Sequence, residues 1–156
     1  MRALIQRVAR ASVTVEGRVT GQIGRGFLVL LGVTAQDTET EVTLLADKLL
    51  KLRIFPDAEG KTNCSLTDVG GSLLVISQFT LCADCRRGTR PSFSHAAGPE
   101  EANRLYELFL EKCRTAVPRV DSGVFGAHMD VELLNDGPFT IWLDTDALTA
   151  PRRNSG

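Results

Sequence analysis

A polar tetrapeptide directly follows an apolar run in the middle of the chain. Residues 73–76 have the composition of a buried strand, and they lead into Ser77-Gln78-Phe79-Thr80. Where a strand ends, backbone N–H groups leave the ladder and can donate to the oxygen of a ligand. Such a segment suits the stabilisation of an oxyanion, although polar residues also end strands because they form turns. The spacing alone leaves both interpretations open.

A second unusual stretch, Asn135-Asp136-Gly137-Pro138, stands between two alternating apolar segments. All four residue types favour turns, and Asp-Gly alone can close a hairpin. The proline is unexpected, because it removes a backbone donor where the next strand begins. The sequence therefore predicts two strands around this turn. It leaves open whether the backbone at Gly137-Pro138 is only a stiff turn or is itself functional.

Cys82 and Cys85 have the C-x-x-C spacing of metal and redox sites. A structural zinc site needs two further ligands, and neither His95 nor His128 lies at a partner spacing. A redox pair opens a helix, whereas this pair leads into the loop sequence RRGTRPSF. We therefore interpret the spacing as coincidental, with zinc or redox chemistry as the less favoured alternative. His128 is interpreted as a structural residue.

Other catalytic patterns are absent from the sequence, including a glycine-rich phosphate loop, an H-E-x-x-H pair and a G-x-S-x-G elbow. The 156 residues suffice for one domain, and 43% of them are hydrophobic. A net charge of −1 excludes a globally basic nucleic-acid binder, so any basic surface must be local. Neither a secretory pattern nor an apolar run of about 20 residues is present. We therefore expect a cytoplasmic protein without membrane contact.

Strands and two amphipathic helices are predicted to position these segments. Alternating and continuous apolar stretches over residues 1–33 indicate strands. Apolar residues then recur at helical spacing after a capping box at Thr38-x-x-Glu41, and a second helix starts near Pro99. The apolar face of the first helix consists of Val42, Leu45, Ala46, Leu49 and Leu50. That of the second helix consists of Ala102, Leu105, Tyr106, Phe109, Leu110, Cys113 and Val117. The pattern predicts one mixed domain, a sheet with both helices on one side.

Five stretches of the chain, in their order, resemble the D-aminoacyl-tRNA deacylase family, also called D-tyrosyl-tRNA deacylase. They are MRALIQRV, LRIFPDAEGKTN, SQFTL, RPSFS and NDGPFT. The resemblance runs from Met1 to about Asp144, and SQFTL combined with the Gly-Pro pair is specific. The chain departs from the family pattern at Phe139, where valine is common, and at Cys82 and Cys85. The intact SQFTL separates it from a related animal deacylase family.

The resemblance implies one mixed α+β (α/β) domain over residues 1–145, followed by a short flexible tail over residues 146–156. The implied domain has mostly antiparallel, barrel-like β-sheets with two amphipathic helices on one side, in β-β-α layers. The implied activity is tRNA editing, in which the ester of D-aminoacyl-tRNA is hydrolysed and glycine mischarged on tRNA(Ala) is also removed. The implied partners are aminoacyl-tRNA, through its 3′-terminal adenosine, and a second copy in a homodimer. No cofactor, metal or other protein partner is implied.

The resemblance assigns catalysis to Ser77, Gln78, Phe79 and Thr80. Backbone N–H groups around Phe79 and Thr80 would stabilise the oxyanion, and Phe79 would pack against the adenosine. No strong general base accompanies these motifs, and a threonine hydroxyl without a base is a weak nucleophile. We therefore expect the 2′-hydroxyl of the tRNA to help activate the attacking water.

Gly137 and Pro138 are implied to be the selectivity motif, which reaches into the pocket of the neighbouring subunit with a cis peptide bond. Sequence alone would not predict this bond, because only about 5–6% of X–Pro bonds in folded proteins are cis. The two carbonyls would form a wall that excludes the side chain of an L-amino acid. Glycine lacks a Cβ, so this wall could approach the substrate closely. Arg7 is implied to hold the motif in place.

Arg86, Arg87 and Arg90 are candidate contacts to tRNA phosphates. A solvated surface loop explains each of them equally well. The alternative function for the whole chain is a non-catalytic nucleic-acid-binding protein on the same fold.

Overall fold

A computed structural model describes residues 1–153. The strands are β1 (Arg2–Val15), β2 (Arg18–Ile23), β3 (Gly26–Gly32), β4 (Phe55–Pro56), β5 (Thr62–Cys64), β6 (Ser72–Ser77), β7 (Val120–Ser122) and β8 (Asp130–Asp144). The helices are α1 (Glu39–Lys51), α2 (Pro99–Arg114) and α3 (Thr145–Thr149), and a short 3-10 helix (Phe79–Cys82) follows β6.

Strand β1 organises a curved six-stranded sheet. One of its edges pairs with β8, and the other pairs with β3 in its first half and with β2 in its second half. Strand β6 lies parallel to β3, and β7 lies parallel to β6. The sheet nearly closes, because β7 returns to β2, where the N–H of Gln22 donates to the Asp121 carboxylate at 2.8 Å. The expected mostly antiparallel, barrel-like architecture is confirmed.

Each face of the central strands has its own hydrophobic core, which explains why their sequences are continuous apolar runs. In β3, Phe27, Val29 and Leu31 belong to the core shared with the helices, whereas Leu28 and Leu30 belong to the barrel interior. Strand β6 alternates between the two cores in the same way. Helices α1 and α2 cover the first core, which gives the expected β-β-α layering.

Both amphipathic helices form where the apolar spacing predicts them. The hydroxyl of Thr38 accepts from the N–H of Thr40, and the Glu41 carboxylate accepts from the N–H of Thr38 at 2.7 Å, so the capping box is present. Helix α2 begins at Pro99, which supplies the expected N-terminal proline. Tyr106 lies on its buried face, and its hydroxyl donates to the carbonyl of Val75 at 2.7 Å.

The Asn-Asp-Gly-Pro turn does not reverse the chain, so the prediction of two strands around it is wrong. The residues on both sides of it pair with β1 in the same direction, and β8 is one strand. Val8 pairs with Asn135 and Gln6 pairs with Thr140, so residues 136–139 bulge out between these pairs. Turn-forming residues allow such an insertion into a strand, while pairing with β1 keeps its direction.

A short helix, α3, begins at the last residue of the predicted domain and runs into the predicted tail over residues 146–156. Its first residue, Thr145, is buried, and its hydroxyl accepts from the α-amine of Met1 at 2.7 Å. The same amine forms an ion pair with Asp37 at 2.8 Å. Residues 154–156 of the predicted tail lie outside the described residues. None of the described helices has the length and apolar character of a membrane span.

Candidate active site

A pocket of about 540 Å³ opens at the carboxyl end of β6. Six parts of the chain form its walls: the residue after β3, the end of β6 with the 3-10 helix, the segment before α2, the first turn of α2, the loop before β8 and the start of β8. The lining residues are Val33, Ile76, Ser77, Gln78, Phe79, Phe93, Ala96, Ala97, Pro99, Ala102, Phe125, Gly126, Ala127, His128, Met129 and Val131.

Three residues of the predicted catalytic segment, Ser77, Gln78 and Phe79, line this pocket, whereas Thr80 is exposed just beyond them. The backbone N–H of Gln78 donates to the carbonyl of Leu31 at 2.8 Å, and its side-chain amide donates to the Thr80 hydroxyl. Phe79 and Thr80 begin the 3-10 helix, and the first N–H groups of a helix have no partner within it. These two N–H groups can therefore donate to a ligand oxygen.

Two exposed aromatic rings form one side of the pocket mouth. Phe79 is 55% exposed, and its ring packs edge-to-face on Phe93 with the ring centroids 5.0 Å apart. Exposed aromatic rings at such a mouth suit the stacking of a nucleobase. Apart from its place within RPSFS, nothing in the sequence indicates a role for Phe93.

The pocket walls contain no carboxylate, and His128 is the only titratable side chain among the lining residues within positions 1–153. The interpretation of His128 as a structural residue is not supported, because its side chain is 91% exposed. Its Nε2 lies 3.3 Å from the Asp130 carboxylate, which is also exposed. The pocket therefore offers hydrogen-bond donors and aromatic surface rather than a buried acid–base pair.

Arg7 holds the bulge of β8 from the opposite strand. Its Nε donates to the carbonyl of Asp136 at 3.1 Å, and its Nη1 donates to the carbonyl of Ile54 at 2.7 Å. Its guanidinium carbon also lies 4.8 Å from the centroid of the Phe139 ring. These contacts fix both ends of residues 136–139.

Within the bulge, Gly137 and Pro138 are exposed, and they do not line the pocket of their own chain. The peptide bond between them is cis. The φ of Gly137 is +130°, a backbone conformation that L side chains rarely adopt, and an added Cβ would also lie 2.9 Å from Nη2 of Arg7, so glycine suits this position. Strand β8 also exposes three large apolar side chains: Leu133, Leu134 and Trp142.

The two cysteines of the C-x-x-C pattern lie in different environments. Cys82 is buried, with its thiol 3.6 Å from the carbonyl of Val33, whereas Cys85 is exposed, and both are free thiols. Across residues 1–153, no three His, Cys, Asp or Glu side chains are grouped as a metal site would require.

The chain is similar to known proteins over nearly its whole length. Residues 4–144 match the family described as D-Tyr-tRNA(Tyr) deacylase. A D-aminoacyl-tRNA deacylase of Roseiflexus castenholzii (strain DSM 13941 / HLO8) is 59% identical over 152 residues, which cover 97% of each chain. One from Clostridium acetobutylicum is 54% identical over 145 residues, covering 93% of this chain and 97% of the relative. The solved structure of the c-Myc DNA Unwinding Element Binding Protein superposes with a TM-score of 0.88 at 43% identity, covering 92% of this chain and 98% of the other.

Proposed function

The chain belongs to the D-Tyr-tRNA(Tyr) deacylase family, and we propose that it edits tRNA by hydrolysing the ester between a D-amino acid and the 3′-terminal adenosine. Its class as a D-aminoacyl-tRNA deacylase follows from the family. The single observation that supports the proposed chemistry is the pocket over the start of the 3-10 helix. It combines two available N–H groups with an aromatic edge.

In the proposed reaction, the ester carbonyl faces the N–H groups of Phe79 and Thr80, and the adenine packs against the Phe79 ring. Water attacks the carbonyl carbon, and the negative charge that develops on the carbonyl oxygen is stabilised by these donors. The bond to the 3′-oxygen then breaks, the 3′-oxygen takes a proton, and the D-amino acid and tRNA are released. The 2′-hydroxyl of the tRNA helps activate the water, because no carboxylate lies among the described residues that line the pocket.

Selection against L-amino acids is assigned to Gly137 and Pro138 of a second copy of the chain in a homodimer. Both residues are exposed and away from the pocket of their own chain, which favours a role in another chain's pocket. The exposed apolar side chains of the same strand, Leu134 and Trp142, favour burial against a second copy. An L-side chain would collide with the carbonyls of the motif, whereas a D-amino acid presents hydrogen there.

The test uses mixed dimers of two variants, one expected to lack activity and the other expected to lack selectivity. One variant is altered in the pocket (Gln78→Ala with Phe79→Ala), and the other is altered in the motif (Gly137→Ala with Pro138→Ala). If the motif acts across subunits, a mixed dimer has one site with an intact pocket and an intact motif, and it should cleave D-Tyr-tRNA but spare L-Tyr-tRNA. If it acts within its own chain, no normal site exists and selective activity does not return.

A non-catalytic nucleic-acid-binding role is the second candidate. It is favoured by one observation, the likeness to the c-Myc DNA Unwinding Element Binding Protein at 43% identity. Purified protein incubated with D-Tyr-tRNA separates the two candidates, since binding alone leaves the ester intact. The candidate tRNA contacts Arg86, Arg87 and Arg90 lie on the exposed loop that follows the 3-10 helix.

A further inference from the structure

One short segment before α2 separates the catalytic pocket from a second hollow. Phe93 and Ala96 line the catalytic pocket, whereas Ser92, Ser94 and His95 line the neighbouring hollow, which also measures about 540 Å³. A ligand that fills the pocket and continues over this segment therefore reaches the second hollow directly.

The loop that forms the other wall of the second hollow is closed by backbone hydrogen bonds. The N–H of Asp84 donates to the carbonyl of Ser92 at 2.7 Å, and the N–H of Ser92 donates back at 2.9 Å. The dividing segment is fixed as well, because the N–H of Ala35 donates to the carbonyl of His95 at 2.9 Å. We call residues 84–92 the arginine loop. Its base is held in place before any ligand binds.

The charges of the arginine loop have separate roles. The Asp84 carboxylate accepts from Nε and NH2 of Arg86 at 2.9 and 2.7 Å, and these hydrogen bonds hold the pKa of Asp84 well below its usual range. Asp84 therefore stays ionised and neutralises Arg86, and His95 lies 3.7 Å from the same carboxylate. Arg87 and Arg90 are exposed, and no charged partner contacts either of them within the part of the chain that the structure describes.

We propose that the arginine loop and the second hollow bind phosphates of the single-stranded 3′ end of the tRNA, with Arg87 and Arg90 as the charged contacts. This inference rests on the proposed function, which places the terminal adenosine at the mouth of the catalytic pocket. From there the strand crosses the segment bearing Phe93, and its phosphates meet the serine hydroxyls and arginines beyond. Phosphate contacts of this kind set the register of a nucleic acid without reading its sequence. The loop thereby directs the path of the strand away from β8.

The experiment compares two double variants. The first combines Arg87→Gln and Arg90→Gln, and the second, a control with the same loss of charge, combines Arg18→Gln and Arg114→Gln. Neither control residue lines either cavity, and Arg114 lies at the far end of α2 from the pocket. Arg86 is left unchanged, because its loss would expose the charge of Asp84. Binding of tRNA without an attached amino acid is measured over a range of salt concentrations. Hydrolysis is measured with D-Tyr-tRNA and with D-tyrosyl-adenosine, which is too short to reach the arginine loop.

For the double variant we expect a several-fold weaker affinity for tRNA and a raised KM for D-Tyr-tRNA at unchanged kcat. The slope of log Kobs against log salt should become shallower by about 0.7 for each lost contact to single-stranded nucleic acid. Hydrolysis of D-tyrosyl-adenosine should be unchanged. An unaltered salt slope, an equal loss in the control variant, or loss of D-tyrosyl-adenosine hydrolysis would each overturn the proposal. Failure of the wild-type protein to hydrolyse either substrate would instead reject the proposed function, and tRNA binding would still report on the arginine loop.

Discussion

Arg7 on β1 donates from its Nε to the backbone carbonyl of Asp136 on β8, at a distance of 3.1 Å. This contact joins a residue near the start of the chain to the bulge that presents Gly137 and Pro138. The side chain of Arg7 is only 12% exposed, and its hydrogen bond to the carbonyl of Ile54 is partly buried, whereas the bond to Asp136 lies at the surface. We therefore propose that Arg7 acts by positioning the bulge rather than by touching the substrate.

We expect Arg7→Ala to lower the free energy of unfolding by about 2 kcal/mol, the usual worth of hydrogen bonds to a charged group. Discrimination between D-Tyr-tRNA and L-Tyr-tRNA should also fall, because the bulge loses its support. Arg7→Lys is the matched control: it keeps the charge but cannot donate to Asp136 and Ile54 in the same geometry. Chemical denaturation and paired deacylation rates measure the two effects. Full discrimination in a destabilised Arg7→Ala variant would show that the bulge holds its shape without Arg7.

Thr80→Ala is expected to keep substantial activity, because the variant retains every backbone donor of the 3-10 helix. A D-aminoacyl-tRNA that ends in 2′-deoxyadenosine should react far more slowly with the wild-type protein. His128→Gln serves as a companion variant, since His128 is the only titratable side chain among the described lining residues. If Thr80→Ala is inactive and the deoxy substrate reacts normally, the threonine is the nucleophile. Loss of activity in His128→Gln alone would identify the histidine as the base.

The sequence was sufficient to predict the elements that local patterns determine. Helices α1 and α2 follow from apolar spacing, from the Thr38 capping box and from Pro99. The course of β8 could not be predicted, because Asn-Asp-Gly-Pro gives the same local signal in a hairpin and in a bulge. Its pairing with β1 decides between them, and that pairing joins residues far apart in the sequence, such as Val8 and Asn135.

The candidate site was predictable only in part, for a similar reason. Residues 77–80 attracted notice because polar side chains end a buried strand. Phe93 and His128 come from distant loops and meet this segment only in the folded chain. Their residue types alone did not indicate a pocket wall. The resemblance alone pointed to Arg7, whereas the proline after three turn-forming residues already marked the Gly-Pro pair as unusual without deciding its role.

Replacement of both Cys82 and Cys85 by serine should change activity little. A serine at position 82 can still donate to the carbonyl of Val33, which the Cys82 thiol contacts at 3.6 Å. Alkylation of the native protein should label Cys85 first, because burial raises the pKa of the Cys82 thiol and restricts access to it. Mass spectrometry of the labelled peptides measures the order. Stoichiometric zinc that is lost from the serine variant together with activity would contradict this expectation.

The free energy of unfolding should fall at alkaline pH, partly because of Tyr106. Burial raises the pKa of Tyr106 to about 12. Because its folded pKa lies above the unfolded value of about 10, the contribution is complete below pH 10 and is lost as the pH rises towards 12. Cys113, whose pKa burial also raises to about 12, adds a loss that begins near pH 9. We expect Tyr106→Phe to cost about 1 kcal/mol at neutral pH, through the lost hydrogen bond to Val75. It should also flatten the dependence of unfolding free energy on pH between 10 and 12. An unchanged curve would show that Tyr106 does not titrate in this way.

Glycyl-tRNA should be cleaved as well, because a wall that excludes side chains has nothing to exclude in glycine. Binding contacts add little discrimination, since one missing small group is worth only about 1–3 kcal/mol, or roughly 10–200-fold. L-alanyl-tRNA should be spared, because in the proposed site its methyl group would meet the carbonyls of Gly137 and Pro138, where D-alanyl-tRNA would present hydrogen. This selectivity would remove glycine mischarged on tRNA(Ala), and it would also attack correct glycyl-tRNA unless that substrate is protected by other means. The measurement is deacylation of glycyl-, L-alanyl- and D-alanyl-tRNA side by side at equal enzyme concentration. Cleavage of L-alanyl-tRNA at a rate near that of D-alanyl-tRNA would mean that no such wall operates.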